Sequence, residues 1–151
     1  MSFVRPFRSR RPAGATLLEL SVALTLVSLV LGLALPPLGS LRDRAAVSAA
    51  RESTVALLAR ARVEALARGG ATVELDTSPA GVSLWVTGAE LEGLDIAGRW
   101  RVGLELGGGR ERATVVYGPL GLGRVASRTM FFARGSARAK LTVSAYGRVA
   151  R

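Results

Sequence analysis

Three patterns of apolar and polar positions follow one another along the chain. From Leu20 to Leu41 no residue is charged and apolar side chains recur without a period, so a helix there is greasy all round. From Leu41 to Arg68 there is neither Gly nor Pro. Leu41, Ala45, Val55, Ala59, Val63 and Leu66 fall within one helical face, with Arg44, Arg51 and Arg62 along one edge of the other side. That spacing predicts a helix with an apolar stripe laid on a partner, ended by Gly69 and Gly70, which tolerate a left-handed cap. Beyond it the period shortens. "ATVELD" (71–76), "GVSLWVT" (81–87), "RWRVGLEL" (99–106), "RATVVYG" (112–118), "RTMFFA" (128–133) and "AKLTVSA" (139–145) are β-branched or aromatic and partly alternating. "SPAG", "GGGRE", "GPLGLG" and "RGSA" supply turns between them. Such spacing leaves no room for crossover helices, so the strands pair antiparallel. Residues 88–98, with Glu90, Glu92 and Asp95, are expected to form a longer acidic loop.

The first pattern is a membrane-insertion signal. As a helix the uncharged run extends about 33 Å, enough for a bilayer core of roughly 30 Å. Arg5, Arg8, Arg10 and Arg11 precede it, which places residues 1–14 in the cytoplasm and the remainder outside. Pro36 and Pro37 remove amide donors and kink or locally melt a helix, or else the helix stops at Leu35. The helical pattern after them favours one kinked helix from about Ala15 to Arg68. The expected fold is α+β: a long kinked N-terminal helix packed on a small antiparallel sheet or sandwich.

Glu19 stands at the front of the apolar run, where a carboxylate is costly without a cation. An ordinary signal peptide cut at "GLA", ending at Ala34, leaves it unexplained. So does a plain anchor, and so does a twin-arginine signal at Ser9–Arg11, where proline and alanine replace the expected apolar bulk. A cut between Gly14 and Ala15 explains it. The new α-amino group would lie about one helical turn from Glu19, and in a bundle of such helices the carboxylate would meet a neighbouring subunit's amine and fix the axial register.

"GATLLEL", residues 14–20, resembles the prepilin cleavage motif of type IV pilins and type II secretion pseudopilins. Gly14, Thr16, Leu17 and Glu19 match it, while Ala15 stands where that family has phenylalanine or methionine. A proline near Pro36 is likewise usual in pilin helices. "LLARARVEALARGGATVEL" (57–75), "VYGPLGLGRV" and "LTVSAYGRVAR" resemble the GspH/FimT family of minor pseudopilins and minor pilins. The resemblance implies a leader, residues 1–14, removed by a prepilin peptidase, with methylation at Ala15. It also implies a transmembrane assembly helix, 15–41, and a periplasmic domain, 42–151, with its helix at 42–68 and its sheet at 71–151. The implied function is a minor pseudopilin of a type II secretion pseudopilus, held in the inner membrane by a single pass. Its partners would be other pseudopilins or pilins, a platform protein and an assembly ATPase.

Composition changes this picture at two points. With no Cys and no His, the 151 residues exclude disulfides, thiolate nucleophiles, His-ligated metals and Ser-His-Asp triads. The formal charge of +10 is concentrated: no acid follows Glu111, while Arg112, Arg124, Arg128, Arg134, Arg138, Lys140, Arg148 and Arg151 do. That asymmetry fits an anionic partner, although Lys140 is the one lysine among 21 basic residues, which reads equally as a bias toward arginine. The family resemblance supplies the alternative function, a FimT-like minor pilin that captures DNA through Arg138, Lys140, Arg148 and Arg151. "GLGRVA" (121–126) has the letters of a dinucleotide loop but leads into strand-like sequence with no acid for a ribose. Glu90, Glu92 and Asp95 lack calcium-loop spacing, and Trp85 and Trp100 are expected in the core. No enzyme activity, cofactor or metal is expected.

Overall fold

The computed structural model describes residues 16–124 and 127–150, with the side chains of residues 33–37 outside that description. The leader, Gly14, Ala15 and Arg151 also lie outside the described residues. Helix α1, Leu17–Arg68, runs for 52 residues, and its helical assignment continues through Pro36 and Pro37. The chain divides there into two units, Met1–Pro36 and Pro37–Arg151.

Among the described residues of the second unit, α1 is followed by eight strands and one short helix: β1 (Ala71–Thr77), β2 (Ala80–Val86), β3 (Ala89–Asp95), α2 (Ile96–Trp100), β4 (Gly103–Leu106), β5 (Arg112–Tyr117), β6 (Arg128–Arg134), β7 (Ala137–Val143) and β8 (Val149–Ala150). They form two four-stranded sheets, ordered β3-β2-β1-β5 and β4-β6-β7-β8. Every strand pair is antiparallel. Alternate residues of each sheet turn inward. Val73, Leu75, Val82, Leu84, Val115 and Tyr117 do so in the first, and Leu104, Met130, Phe132, Leu141 and Val143 in the second. One apolar core unites both inner faces with the second half of α1. The molecule is thus α+β, a long N-terminal helix packed on antiparallel sheet.

Three expectations are corrected here. The face of α1 that enters the core is Val47, Ala50, Leu57, Leu58, Ala61 and Ala65. Leu41, Ala45, Ala59, Val63 and Leu66 are exposed, and only Val55 of the expected stripe is partly buried against the core. The helix is apolar on two sides, and packing selected the one with alanines, whose small side chains let the backbone approach the sheets. Thr54 is the buried polar residue on that face, and its hydroxyl donates to the Ala50 carbonyl at 2.9 Å.

Residues 88–98 are not a loop. They hold edge strand β3, paired with β2 from Val86↔Ala89 to Gly81↔Asp95, and the start of α2. An irregularity between Leu84 and Trp85 shifts the register, and the acidic, largely exposed strand behaves as sheet edges commonly do, where charge and bulges discourage further pairing. Asp95 caps α2, its Oδ1 accepting from the Gly98 N–H at 2.7 Å. The expected strand 99–106 accordingly shrinks to β4, because Arg99 and Trp100 belong to α2.

Candidate assembly helix and basic face

At the N-terminal end of α1 the amide groups of the first turn lack intrahelical acceptors. Thr16 and Glu19 satisfy two of them reciprocally. The Thr16 N–H donates to Glu19 Oε2 at 2.9 Å, and the Glu19 N–H donates to Thr16 Oγ1 at 3.2 Å. This is a capping box, with the carboxylate also well placed against the helix dipole. Glu19 therefore has a local role alongside the intersubunit one expected from sequence. The threonine–x–x–glutamate spacing just ahead of an apolar run was the signal for it.

Past the cap, Leu17, Leu18, Leu20, Val22, Leu24, Leu26, Val27 and Leu29 to Leu31 are all exposed, Leu17 by 87%. Hydroxyl groups interrupt them three times, and each is turned back on the helix. Ser21 donates to the Leu18 carbonyl at 2.8 Å, Thr25 to Ser21 at 2.7 Å and Ser28 to Leu24 at 2.8 Å. A polar donor satisfied within its own helix needs nothing from its surroundings. Among the described residues no helix is long and apolar enough to cross a membrane; the fully described part of the apolar run ends at Gly32.

The basic residues near the C-terminus are gathered by the second sheet. Arg138 and Lys140, two apart on β7, are both exposed. Lys140 pairs across the ladder with Phe131, which is 37% exposed. Arg148 is exposed at the end of a tight turn, where the Gly147 N–H donates to the Ser144 carbonyl and the Arg148 N–H to Ser144 Oγ, at 2.8 and 3.0 Å. Gly147 is required there. Its φ is +78°, and a Cβ would lie 2.6 Å from Tyr117 Cε1. Arg134 is not part of this exposed set: it pairs with Asp43 at 2.9 Å and donates to the Trp100 carbonyl at 2.5 Å. Arg112 pairs with Asp76.

Tyr117, beneath the turn, is 1% exposed. Burial raises its phenol above the ordinary 10.0, against a smaller lowering from the Arg62 guanidinium. Trp85 departs from expectation. It is half-buried on the opposite strand face from Leu84 and donates to Ser83 Oγ at 3.1 Å. Trp100 packs against the core, with Arg99 4.9 Å over its ring. Glu92 pairs with Arg60 at 2.6 Å, and no cluster of three or more metal-ligating side chains occurs among the described residues. Gly121, at φ +66°, lies in the turn after β5, and the next element is strand β6.

No family model and no curated protein matches the sequence. Among solved structures the chain is similar to the type IV minor pilin FimU of Pseudomonas aeruginosa strain PAO1. In one crystal form the identity is 21% and the TM-score 0.54, over 71% of this chain and 88% of that one. In another the identity is 20% and the TM-score 0.52, over 68% and 90%. The likeness carries the fold alone, and this chain has the type IV pilin-like fold.

Proposed function

We propose that the protein is a minor pseudopilin of the GspH/FimT kind, a structural filament subunit without catalytic activity. In this reading a prepilin peptidase removes residues 1–14 and the new terminus at Ala15 is methylated. Residues 15–41 hold the subunit in the inner membrane by a single pass, with residues 42–151 in the periplasm. An assembly ATPase and a platform protein then draw it into a short pseudopilus with other pseudopilins, which moves folded proteins across the outer membrane. The observation that carries the reading is the exposed apolar start of α1, capped by Thr16 and Glu19, ahead of a pilin-like domain. Leu17 and its neighbours need lipid or other helices to cover them, and the self-satisfied hydroxyls suit either.

Glu19 has two candidate roles, and two substitutions separate them. Glutamine serves a capping box as glutamate does but carries no charge to meet an α-amine. Alanine loses both roles, while the Thr16 hydroxyl still accepts from the backbone N–H of residue 19; the lost carboxylate contact is worth about 0.5–1 kcal/mol. The expected result is that Glu19→Gln and Glu19→Ala both reach the membrane and neither co-assembles with other pseudopilins, measured by crosslinking and filament purification. Wild-type co-assembly of Glu19→Gln would sink the charge-pairing role. Mass spectrometry of the mature chain should find Ala15 at its start.

A second reading, DNA capture by a minor pilin, is favoured by one observation. Arg138 and Lys140 are exposed on one strand beside the partly exposed Phe131, and cations flanking an aromatic ring suit phosphates and bases.

A further inference from the structure

Arg44, Ser48 and Arg51 follow one another at helical spacing on α1 and face Ser136 and Arg138, from the β6–β7 turn and the start of β7. Between them lies a groove of about 380 Å³ with no acid in its lining. Two of its three cationic side chains are uncompensated. Among the described residues neither Arg44 nor Arg138 has an ion-pair partner. Asp43, the residue before Arg44, is committed to Arg134 at 2.9 Å. Arg51 Nη2 reaches Glu52 at 2.9 Å, yet its Nε is buried without a hydrogen-bond partner. A buried donor left unpaired is costly, and three guanidinium groups sharing one groove repel one another. A tetrahedral oxyanion answers both problems. Guanidinium forks take two of its oxygens at once, and the Ser48 and Ser136 hydroxyls can donate to others.

We infer that the groove formed by Arg44, Arg51 and Arg138 binds the phosphate of an anionic phospholipid headgroup. The choice of a lipid source rests on the membrane-anchored reading above. Arg44 comes three residues after Leu41, the last of the uncharged run. Three helical residues rise about 4.5 Å, which sets the Arg44 end of the groove within a headgroup layer of roughly 5–7 Å on each side of the bilayer. A phosphate seated there tethers the globular unit to the membrane surface until the subunit leaves for the filament.

The test uses the full chain in non-ionic detergent, with phosphatidylglycerol or phosphatidylcholine added and the retained lipid read by native mass spectrometry. Phosphatidylglycerol should be retained preferentially. Arg51→Ala and Arg138→Ala should each lower retention about fivefold, with Arg110→Ala unchanged. Arg138 is exposed, so its variant decides the matter if Arg51→Ala fails to fold. Equal retention of both lipids, or retention indifferent to both substitutions, overturns the proposal. Inorganic phosphate binding as tightly in the absence of lipid overturns the headgroup as the source. Carbonate extraction of the wild-type chain from vesicles is read separately. Release of the chain into the carbonate supernatant would count against the membrane anchor, whereas lipid retention in detergent still reports on the groove.

Discussion

Tyr117 shows how much one side chain is asked to do. Its ring closes the first sheet's inner face and supports Gly147, and so the turn that presents Arg148. Burial raises its pKa, so the folded state holds the phenolic proton more tightly than the unfolded chain does. Stability from this group is therefore complete below the ordinary 10.0 and is lost as pH rises through the higher folded value. Unfolding by urea at a series of pH values should show this alkaline decline. Tyr117→Phe should flatten it while leaving neutral stability within about 1.5 kcal/mol, because the ring volume is kept. Glu19 makes a related point. The capping box, Thr16 to Glu19, lies inside the cleavage motif, so a single carboxylate carries two readings, and only the contacts show that the local one is made.

At the scale of elements, α1 is where the period of the sequence misleads. Leucines and valines on one side and alanines on the other both read as apolar, and a helical wheel has no means of ranking them. The sheets accept the alanine side, with Leu57 and Leu58 filling the space beside it. Leu58, 1% exposed, should cost about 2–5 kcal/mol when cut to alanine. Val63, 64% exposed, should change stability by less than about 0.5 kcal/mol under the same substitution. Thermal melting of the two variants checks which side is inside; equal losses would return the expected stripe to the core. Strand β3 was hidden for a different reason. Glu90, Glu92 and Gly93 are poor strand formers judged alone, and a bulged edge position with one exposed face tolerates them. Strands β1, β2, β5, β6 and β7 were legible because both their inward alternation and their turns are explicit in the sequence; two-residue β8 is too short to show a period and was not among the expected strands.

At the scale of the whole molecule, charge is distributed by topology. Arg134 and Arg112, which look like members of the basic tail, are drawn into pairs with Asp43 and Asp76, far away in the chain. Arg138, Lys140 and Arg148 remain exposed. If this remnant meets nucleic acid, binding is to phosphate and is salt-sensitive. A gel shift of the full chain in detergent should then weaken about tenfold or more between 50 and 200 mM salt. Arg138→Ala with Lys140→Ala should weaken it across sequences alike. Binding that persists unchanged in that double variant would remove β7 from the interface, and no binding at low salt would remove the DNA-capture reading altogether.

What the sequence determined by itself was what local physics governs. An uncharged run announces its need for apolar surroundings. A long gap in Gly and Pro announces a helix, and period-two runs between turns announce antiparallel strands, so the α+β class was readable. Tertiary structure decided what depends on partners distant in sequence. It chose which side of α1 is buried, split the strands into two sheets, recruited an acidic stretch as an edge, and set which arginines are neutralised and which are left facing a groove. Those outcomes turn on close packing and on ion pairs across many tens of residues, and neither leaves a period in the chain.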